Sequence, residues 1–191
     1  MTILTEHIDS ILSLTDEESM KIEESFKTIH LSKGALWIEQ GKICKHIAFL
    51  VSGKLRTFYI NDLGNEITCF LLSKPGFITA YNSFLTNTPT IEHITTLEDS
   101  VMRVISKEDL ESLSAEIPKL HILRRIIAEN IYLSMEKRIA LLQSHSAQER
   151  YQHIMEEQPD IILNYPLQHT ASYLGITPQH LSRLRKQSKS S

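Results

Sequence analysis

The sequence predicts an α+β protein in which an antiparallel, jelly-roll-like β-roll is followed by a long helix and a C-terminal helix-turn-helix. Three observations carry this prediction. Short runs rich in β-branched and aromatic residues fill positions 31–105, and five of the six glycines lie in the breaks between them. Positions 119–143 contain neither Gly nor Pro, and the last 27 residues have the pattern helix, tight turn, helix. We place the domain boundaries at 1–117, 118–144 and 145–191.

Composition excludes several classes of protein. Of the 191 residues, 41% are hydrophobic and 23% are charged, which rules out disordered and fibrous chains. The longest uninterrupted apolar run covers only positions 47–51, too short for a membrane helix. The first thirty residues hold seven acids and two bases with no apolar stretch typical of a signal peptide, and the two cysteines are 25 positions apart. We therefore expect a cytoplasmic protein with reduced thiols and no membrane partner.

Charge is distributed unevenly along the chain. The net charge is −3, yet positions 165–191 contain four bases and no acid. An acidic body with a basic end is typical of a protein that meets a polyanion through that end, although a short basic segment can also be solvated surface.

The N-terminal segment is predicted to be helical and the next segment to form the roll. Thr15 and Glu18 have capping-box spacing, and Met20, Ile22, Phe26 and Ile29 follow at mostly helical intervals. Six strands are predicted, at 35–38, 46–51, 54–60, 66–72, 91–97 and 101–105; the third and fourth of them form a hairpin.

The segment after the roll is predicted to contain a long dimerisation helix. A helix begins near Ser106, and Pro118 interrupts and restarts it. Two apolar rows then follow at helical spacing: Leu123, Ile127, Ile131, Met135 and Ile139 in one, and Ile122, Ile126 and Leu133 in the other. One apolar row is enough to pack against the roll. The second row therefore suggests contact with the same helix of another subunit. The predicted interface residues are Leu123, Ile127, Ile131 and Met135. The alternative is a helix buried within a single chain.

The C-terminal segment carries the motif that predicts function. A short helix begins at Ser146 and ends at Gln158 and Pro159. Beyond it, Gly175 supplies the turn between two further helices, and Thr177 with Pro178 begins the second of them. That helix presents Gln179, His180, Arg183 and Lys186 on one face, with Ser182 and Arg185 at its margins. Such a face suits base edges and phosphates of DNA. A generic helical hairpin is the alternative.

The order of these elements resembles the Crp/Fnr family of bacterial transcription regulators over nearly the whole chain. The resemblance is carried best by positions 49–56 in the roll and 171–183 in the helix pair. It implies a cyclic-nucleotide-binding-like roll and a homodimer on a roughly palindromic operator, with RNA polymerase as a further candidate partner. It also implies that Gln179 and Arg183 read bases, with His180 beside them. Gln168 and Thr177 match phosphate-contacting positions, to which Ser182, Arg185 and Lys186 add hydroxyl and cationic groups.

Three departures from the family pattern alter these expectations. Pro178 stands at a position that often holds a base-reading arginine, so the target sequence should differ. Thr170 replaces an aliphatic residue, which should weaken the core of the helix pair. The sequence ends five residues after Lys186, without the usual β-wing. We therefore expect fewer phosphate contacts and weaker, strongly salt-dependent binding.

No cofactor is predicted. Cyclic-nucleotide-binding members hold the phosphate with an arginine, but no Lys or Arg occurs between Pro75 and Met102, so cyclic AMP should not bind in the usual way. Two cysteines are too few for an iron–sulfur cluster, and no histidine spacing singles out a haem ligand. A small apolar effector pocket is conceivable from Phe70, Tyr81, Phe84 and His93, although core packing explains these residues equally well.

Two other functions are weighed against a DNA-binding regulator. A cupin-like metal-binding barrel needs converging histidines, and no His-x-His pair occurs. A protein-interaction module with a degenerate sensor roll would dock a partner protein through its terminal helices. No motif of a nucleophile, P-loop or zinc peptidase is present, so no catalytic residue and no metal ligand is predicted.

Overall fold

The computed structural model describes residues 2–188 and confirms the predicted α+β fold. Two four-stranded sheets form the roll, with strand orders β1-β8-β3-β6 and β2-β7-β4-β5. The strands are β1 (Lys27–Leu31), β2 (Leu36–Ile38), β3 (His46–Ser52), β4 (Leu55–Ile60), β5 (Glu66–Leu72), β6 (Gly76–Ile78), β7 (His93–Thr96) and β8 (Ser100–Ser106). In the first sheet, β3 pairs antiparallel with both β8 and β6.

The helices that flank the roll agree with the sequence in most places. They are α1 (Ile3–Leu12), α2 (Asp16–Ser25), α3 (Tyr81–Thr86), α4 (Lys107–Glu116) and α5 (Leu120–Ser144). The capping box of Thr15 and Glu18 begins α2, and Ser106 caps α4. The Pro118 break separates α4 from α5 as predicted.

The predicted N-terminal helical row is wrong beyond Ser25. Phe26 takes an extended conformation, and Ile29 lies in β1, where it faces Met102 of β8. Met20 is exposed, whereas Ile22 and Phe26 are buried. The sequence reading missed β1 and β6 because five- and three-residue strands are too short to show alternation against helical neighbours.

One compact unit comprises the described residues through Thr57 together with Leu72–Asn130. Its core joins the two sheets to helices α1, α2, α4 and the first turn of α5. The largest fully buried side chains include Leu4, Ile8 and Ile22 from the helices and Phe49, Leu50, Leu55, Ile94, Met102 and Ile105 from the strands. In this unit, helices therefore pack against the strands and bury apolar faces of the sheets, as antiparallel sheets with one apolar face require.

An ion pair fixes the end of α2 to the roll. The Arg103 guanidinium on β8 donates to the Glu23 carboxylate at 2.7 Å and to the carbonyls of Glu23 and Phe26. Although partial burial opposes it, hydrogen bonds from Thr2 and Arg103 hold the pKa of the Glu23 carboxyl below its usual value. A depressed carboxyl pKa adds stability above the unfolded-state pKa, and this stability is lost as the pH falls through the folded-state pKa.

Glu23→Gln is therefore expected to lower the free energy of unfolding near neutral pH by roughly 1.5–3 kcal/mol, the range for hydrogen bonds to charged groups. The deficit should close as the pH falls through the folded-state pKa of Glu23. Urea unfolding measured over pH 7 to 3 checks both points, with Glu24→Gln, an exposed neighbour on α2, as the control. A deficit that is the same at every pH would contradict the assignment.

The second compact unit comprises Phe58–Leu71 and the described residues from Ile131 onward. Its helices beyond α5 are α6 (Ala147–Glu157), α7 (Pro159–Asn164), α8 (Leu167–Leu174) and α9 (Pro178–Ser188). Pro159 ends α6 as predicted, but it also occupies the first turn of α7, a short helix that the sequence reading missed. Within the described residues, no helix has both the length and the apolarity needed to cross a bilayer.

Candidate nucleic-acid interface

The helix pair α8–α9 forms as the sequence predicts. Gly175 ends α8 in the left-handed region at φ 67°, and its N–H donates to the carbonyls of Ala171 and Ser172. Any side chain at this position would be strained, and its Cβ would lie 3.2 Å from Leu142. The Thr177 hydroxyl accepts a hydrogen bond from the His180 N–H, which caps the start of α9 at Pro178.

A small apolar core joins the two helices. Ala171 and Leu181 have no exposed surface, Leu174 and Leu184 are buried, and Ile176 is half-buried. The small side chain of Ala171 permits the close helix approach that the sequence predicts. One face of α9 is therefore fixed against α8 and the other is available to a ligand.

Thr170, the polar residue at an expected aliphatic position, is accommodated rather than left unpaired. Its side chain is completely buried, and its hydroxyl donates to the carbonyl of Ile161 in α7 at 3.0 Å and lies 3.3 Å from the Pro166 carbonyl. The hydroxyl thus links α8 to α7. Because it is hydrogen-bonded, Thr170 places no unsatisfied hydroxyl in the core of the helix pair, and any weakening expected from the sequence has another source.

Thr170→Val is expected to destabilise the protein by about 1–3 kcal/mol, because it keeps the volume but leaves the buried Ile161 carbonyl without its donor. Thr170→Ser, which keeps the hydroxyl, should cost less. Urea unfolding of the two variants compares them directly. A valine variant as stable as the unmodified protein would show that the hydroxyl contributes nothing.

Most of the predicted DNA-contacting side chains lie on the accessible face of the pair. Gln179, Arg183 and Lys186 are exposed on α9, and His180 and Ser182 are half-buried beside them. Thr177 and Gln168 are exposed at the starts of α9 and α8. Since neither helix carries an acid, this surface, which we call the α9 face, is polar and basic.

Arg185 takes a different place from the one expected. Its guanidinium donates to the carbonyl of Ile162 in α7. The side chain is half-buried and holds α9 to α7, so the structure gives it a contact within the domain rather than on the α9 face.

Arg150 is a positioning residue that the sequence reading missed. Its guanidinium, on α6, donates to the Leu174 carbonyl at 2.9 Å and to the His145 carbonyl at 2.6 Å. It therefore satisfies carbonyls at the ends of both α8 and α5. No sequence signal distinguishes this arginine, because its partners are backbone carbonyls, which every residue carries.

The long helix α5 differs from the predicted interface in its first half. Leu123 is buried in the core of its own chain and Ile127 packs against that core, so both are corrected to intramolecular packing. Ile131 is half-buried, and Met135 is exposed as an interface residue should be. A row that we call the α5 seam runs along the remaining length: half-buried Ala128, then exposed Tyr132, Met135, Ile139 and Leu142.

The four residues of the predicted effector pocket differ in burial. Phe84 is 3% exposed and belongs to the roll core, whereas Phe70 on β5 is 42% exposed. Tyr81 and His93 are half-buried. An open cavity of about 210 Å³ is lined instead by residues 36–39 and 42–46, and an apolar one of about 30 Å³ lies among the helices packed on the roll. None of the four candidate residues lines either cavity.

The stretch that would bind a cyclic phosphate carries a half-buried acid. Burial raises the pKa of Glu92, in the loop before β7. Within residues 2–188, no cluster of three or more His, Cys, Asp or Glu side chains could hold a metal ion. Cys44 and Cys69 are not joined to each other in a disulfide.

Comparisons with known proteins support the predicted fold. Residues 28–116 match the cyclic nucleotide-binding domain family. No curated protein matches the chain significantly by sequence. The structure is similar to FixK2 from Bradyrhizobium japonicum, with a TM-score of 0.71 and 16% identity over 86% of this chain and 85% of that one.

Two further solved structures show the same similarity. A CooA mutant from Carboxydothermus hydrogenoformans matches with a TM-score of 0.73 and 17% identity over 95% of this chain and 83% of that one. A putative transcriptional regulator of the Crp/Fnr family from Eubacterium rectale matches with a TM-score of 0.65 and 18% identity over 93% and 84%.

Proposed function

We propose that this protein is a sequence-specific DNA-binding regulator, because residues 28–116 match the cyclic nucleotide-binding domain family and the described chain is similar in fold to solved regulators that include one of the Crp/Fnr family. It acts in the cytoplasm as a homodimer on a roughly palindromic operator. The observation that carries the proposal is the α9 face.

The α9 face has the chemistry that a DNA groove requires. Gln179 and Arg183 lie one helical turn apart on exposed positions, the first near the start of α9 and the second near its middle, where side chains can reach base edges. Thr177, Gln168 and Lys186 offer donors to the phosphates on either side. The absence of acids in this helix pair avoids repulsion from the backbone of the duplex.

The α5 seam supports the homodimer. Its residues recur at intervals of four and three, the spacing that keeps one apolar face toward a partner helix in a coiled coil. Four consecutive members of the row are at least 40% exposed, which is unusual for large apolar side chains on one helix face. A second copy of α5 related by a two-fold axis would cover them.

Selection of bound duplexes from random DNA tests the proposal. The expected consensus contains two inverted half-sites whose centres are about one helical turn, roughly 34–36 Å, apart, because two α9 helices read the same groove face. The same selection with Gly175→Val, which the left-handed turn does not tolerate, is the control. Recovery of no common sequence by the unmodified protein would contradict the proposal.

We expect that cyclic AMP is not the ligand of the roll. The lack of any Lys or Arg from Pro75 to Met102 leaves a cyclic phosphate without a cationic partner in this stretch, which also holds the half-buried carboxyl of Glu92. We expect no change in melting temperature at millimolar cyclic AMP and no change in DNA affinity. Saturable binding measured by calorimetry would overturn this expectation.

A further inference from the structure

The open edge of the second sheet is occupied by side chains from the helical part of the protein. Strand β5 is last in the order β2-β7-β4-β5, so the backbone N–H and C=O groups of alternate residues point to its outer side, away from β4. Such groups need partners when they are covered. At Glu66 and Thr68, two positions apart and therefore on the same side, the partners come from α5 and α8.

Ser172 of α8 satisfies two of these groups at once. Its hydroxyl accepts a hydrogen bond from the Thr68 N–H at 2.9 Å and donates one to the Glu66 carbonyl at 3.1 Å. A serine hydroxyl has one donor and two acceptor sites, so this arrangement mimics the pairing of a neighbouring strand. The Thr68 side chain beneath it is completely buried.

Arg138 of α5 satisfies the third group and also contacts α8. Its guanidinium donates to the Thr68 carbonyl at 3.0 Å and lies over the Tyr173 ring, 4.2 Å from the centroid. The stack is a cation–π contact, to which the planar guanidinium is better suited than an ammonium group. All five residues belong to the second compact unit.

We propose that Ser172 and Arg138 are positioning residues that fix α8 to the edge of β5, so that the recognition helix α9 takes its orientation from the β4–β5 hairpin and moves with it. This inference rests on the proposed function only for its effect on DNA binding. The contact is orienting rather than DNA-contacting, because the atoms of Ser172 and Arg138 that make it face β5 and Tyr173.

Loss of this contact has two expected consequences. Opening of the edge should become easier, so the Thr68 amide should exchange faster with solvent. A dimer must also place two α9 helices in successive grooves at once. If α8 and α9 move more freely in the unbound protein, binding must restrict this motion and costs more conformational entropy. Affinity should therefore fall, while the number of phosphate contacts stays the same.

Hydrogen exchange and DNA binding of full-length Ser172→Ala test the proposal together. We expect the Thr68 amide to exchange at least about fivefold faster, as for a lost hydrogen bond, and operator affinity to fall about threefold to tenfold with an unchanged salt slope. Arg138→Lys should act in the same direction. Ser172→Thr keeps the hydroxyl and should restore the slow exchange. Ser112→Ala on α4, whose hydroxyl donates to the Glu108 carbonyl of its own helix, is the control.

Each outcome decides one claim. Unchanged exchange at Thr68 in Ser172→Ala would overturn the contact itself. Faster exchange with unchanged operator affinity would overturn its role in orienting α9. A lower salt slope would show that the substitution removes phosphate contacts made by cationic residues of the α9 face, and would contradict a purely orienting role. If the unmodified protein binds no DNA, the proposed function fails, and the exchange measurement still decides whether α8 is held by β5.

Discussion

Met135→Glu is expected to convert the dimer to monomers and to lower operator affinity by at least about a hundredfold, since two linked half-site contacts become one. Met135 is 55% exposed at the middle of the α5 seam, between Tyr132 and Ile139. In a two-fold dimer it would meet its own copy, and two buried carboxylates would add repulsion and desolvation to the lost apolar contact.

Sedimentation equilibrium measures the change in mass, and a duplex titration measures the change in affinity. Asn130→Glu introduces the same charge on an exposed face of α5 away from the seam, and it should remain dimeric. A glutamate variant with the sedimentation of the unmodified protein would show that the seam is not the interface. Ile127, which the sequence alone suggests for this test, is less suitable because it packs against the core of its own chain.

Arg183→Ala is expected to relax specificity at one operator position in each half-site and to cost about 1–3 kcal/mol of discrimination there, the value of a bidentate contact between arginine and guanine. Arg183 is exposed near the middle of the α9 face, and its backbone is fixed by the buried neighbours Leu181 and Leu184. Loss of the side chain should therefore remove a contact without disturbing the helix pair.

Lys186→Ala is the matched comparison on the same helix. A lysine that neutralises a phosphate contributes equally on every sequence, so its loss should weaken specific and random duplexes alike and reduce the salt slope by about 1 per bound protomer. Competition titrations with operator and random DNA at several salt concentrations separate the two effects. Equal losses on both duplexes for Arg183→Ala would remove its base-reading assignment.

The C-terminal helix pair could be predicted from sequence because its signals are local. Gly175 at a left-handed turn and Thr177 with Pro178 at a helix start each specify backbone conformation within a few residues, and the structure places both as expected. The β4–β5 hairpin was predictable for the same reason, since alternation and turn residues lie within one short stretch.

The parts that sequence could not show depend on contacts between distant segments. Leu123 and Met135 share one apolar row, yet only the folded core decides that the first is covered by its own chain. Arg185 and Arg150 look like surface cations, but both donate to backbone carbonyls of other helices. Phe84 and Phe70 looked equivalent as pocket residues, and only the packing separates a core residue from an exposed one.

The most direct test of the account is a titration of the purified protein with a fluorescent duplex over a range of salt concentrations. We predict binding at low ionic strength, with the logarithm of the association constant falling linearly against the logarithm of salt by about 0.9 for each phosphate contacted. Failure to bind any duplex at low salt, or an affinity that does not change with salt, would contradict the claim that the α9 face binds DNA.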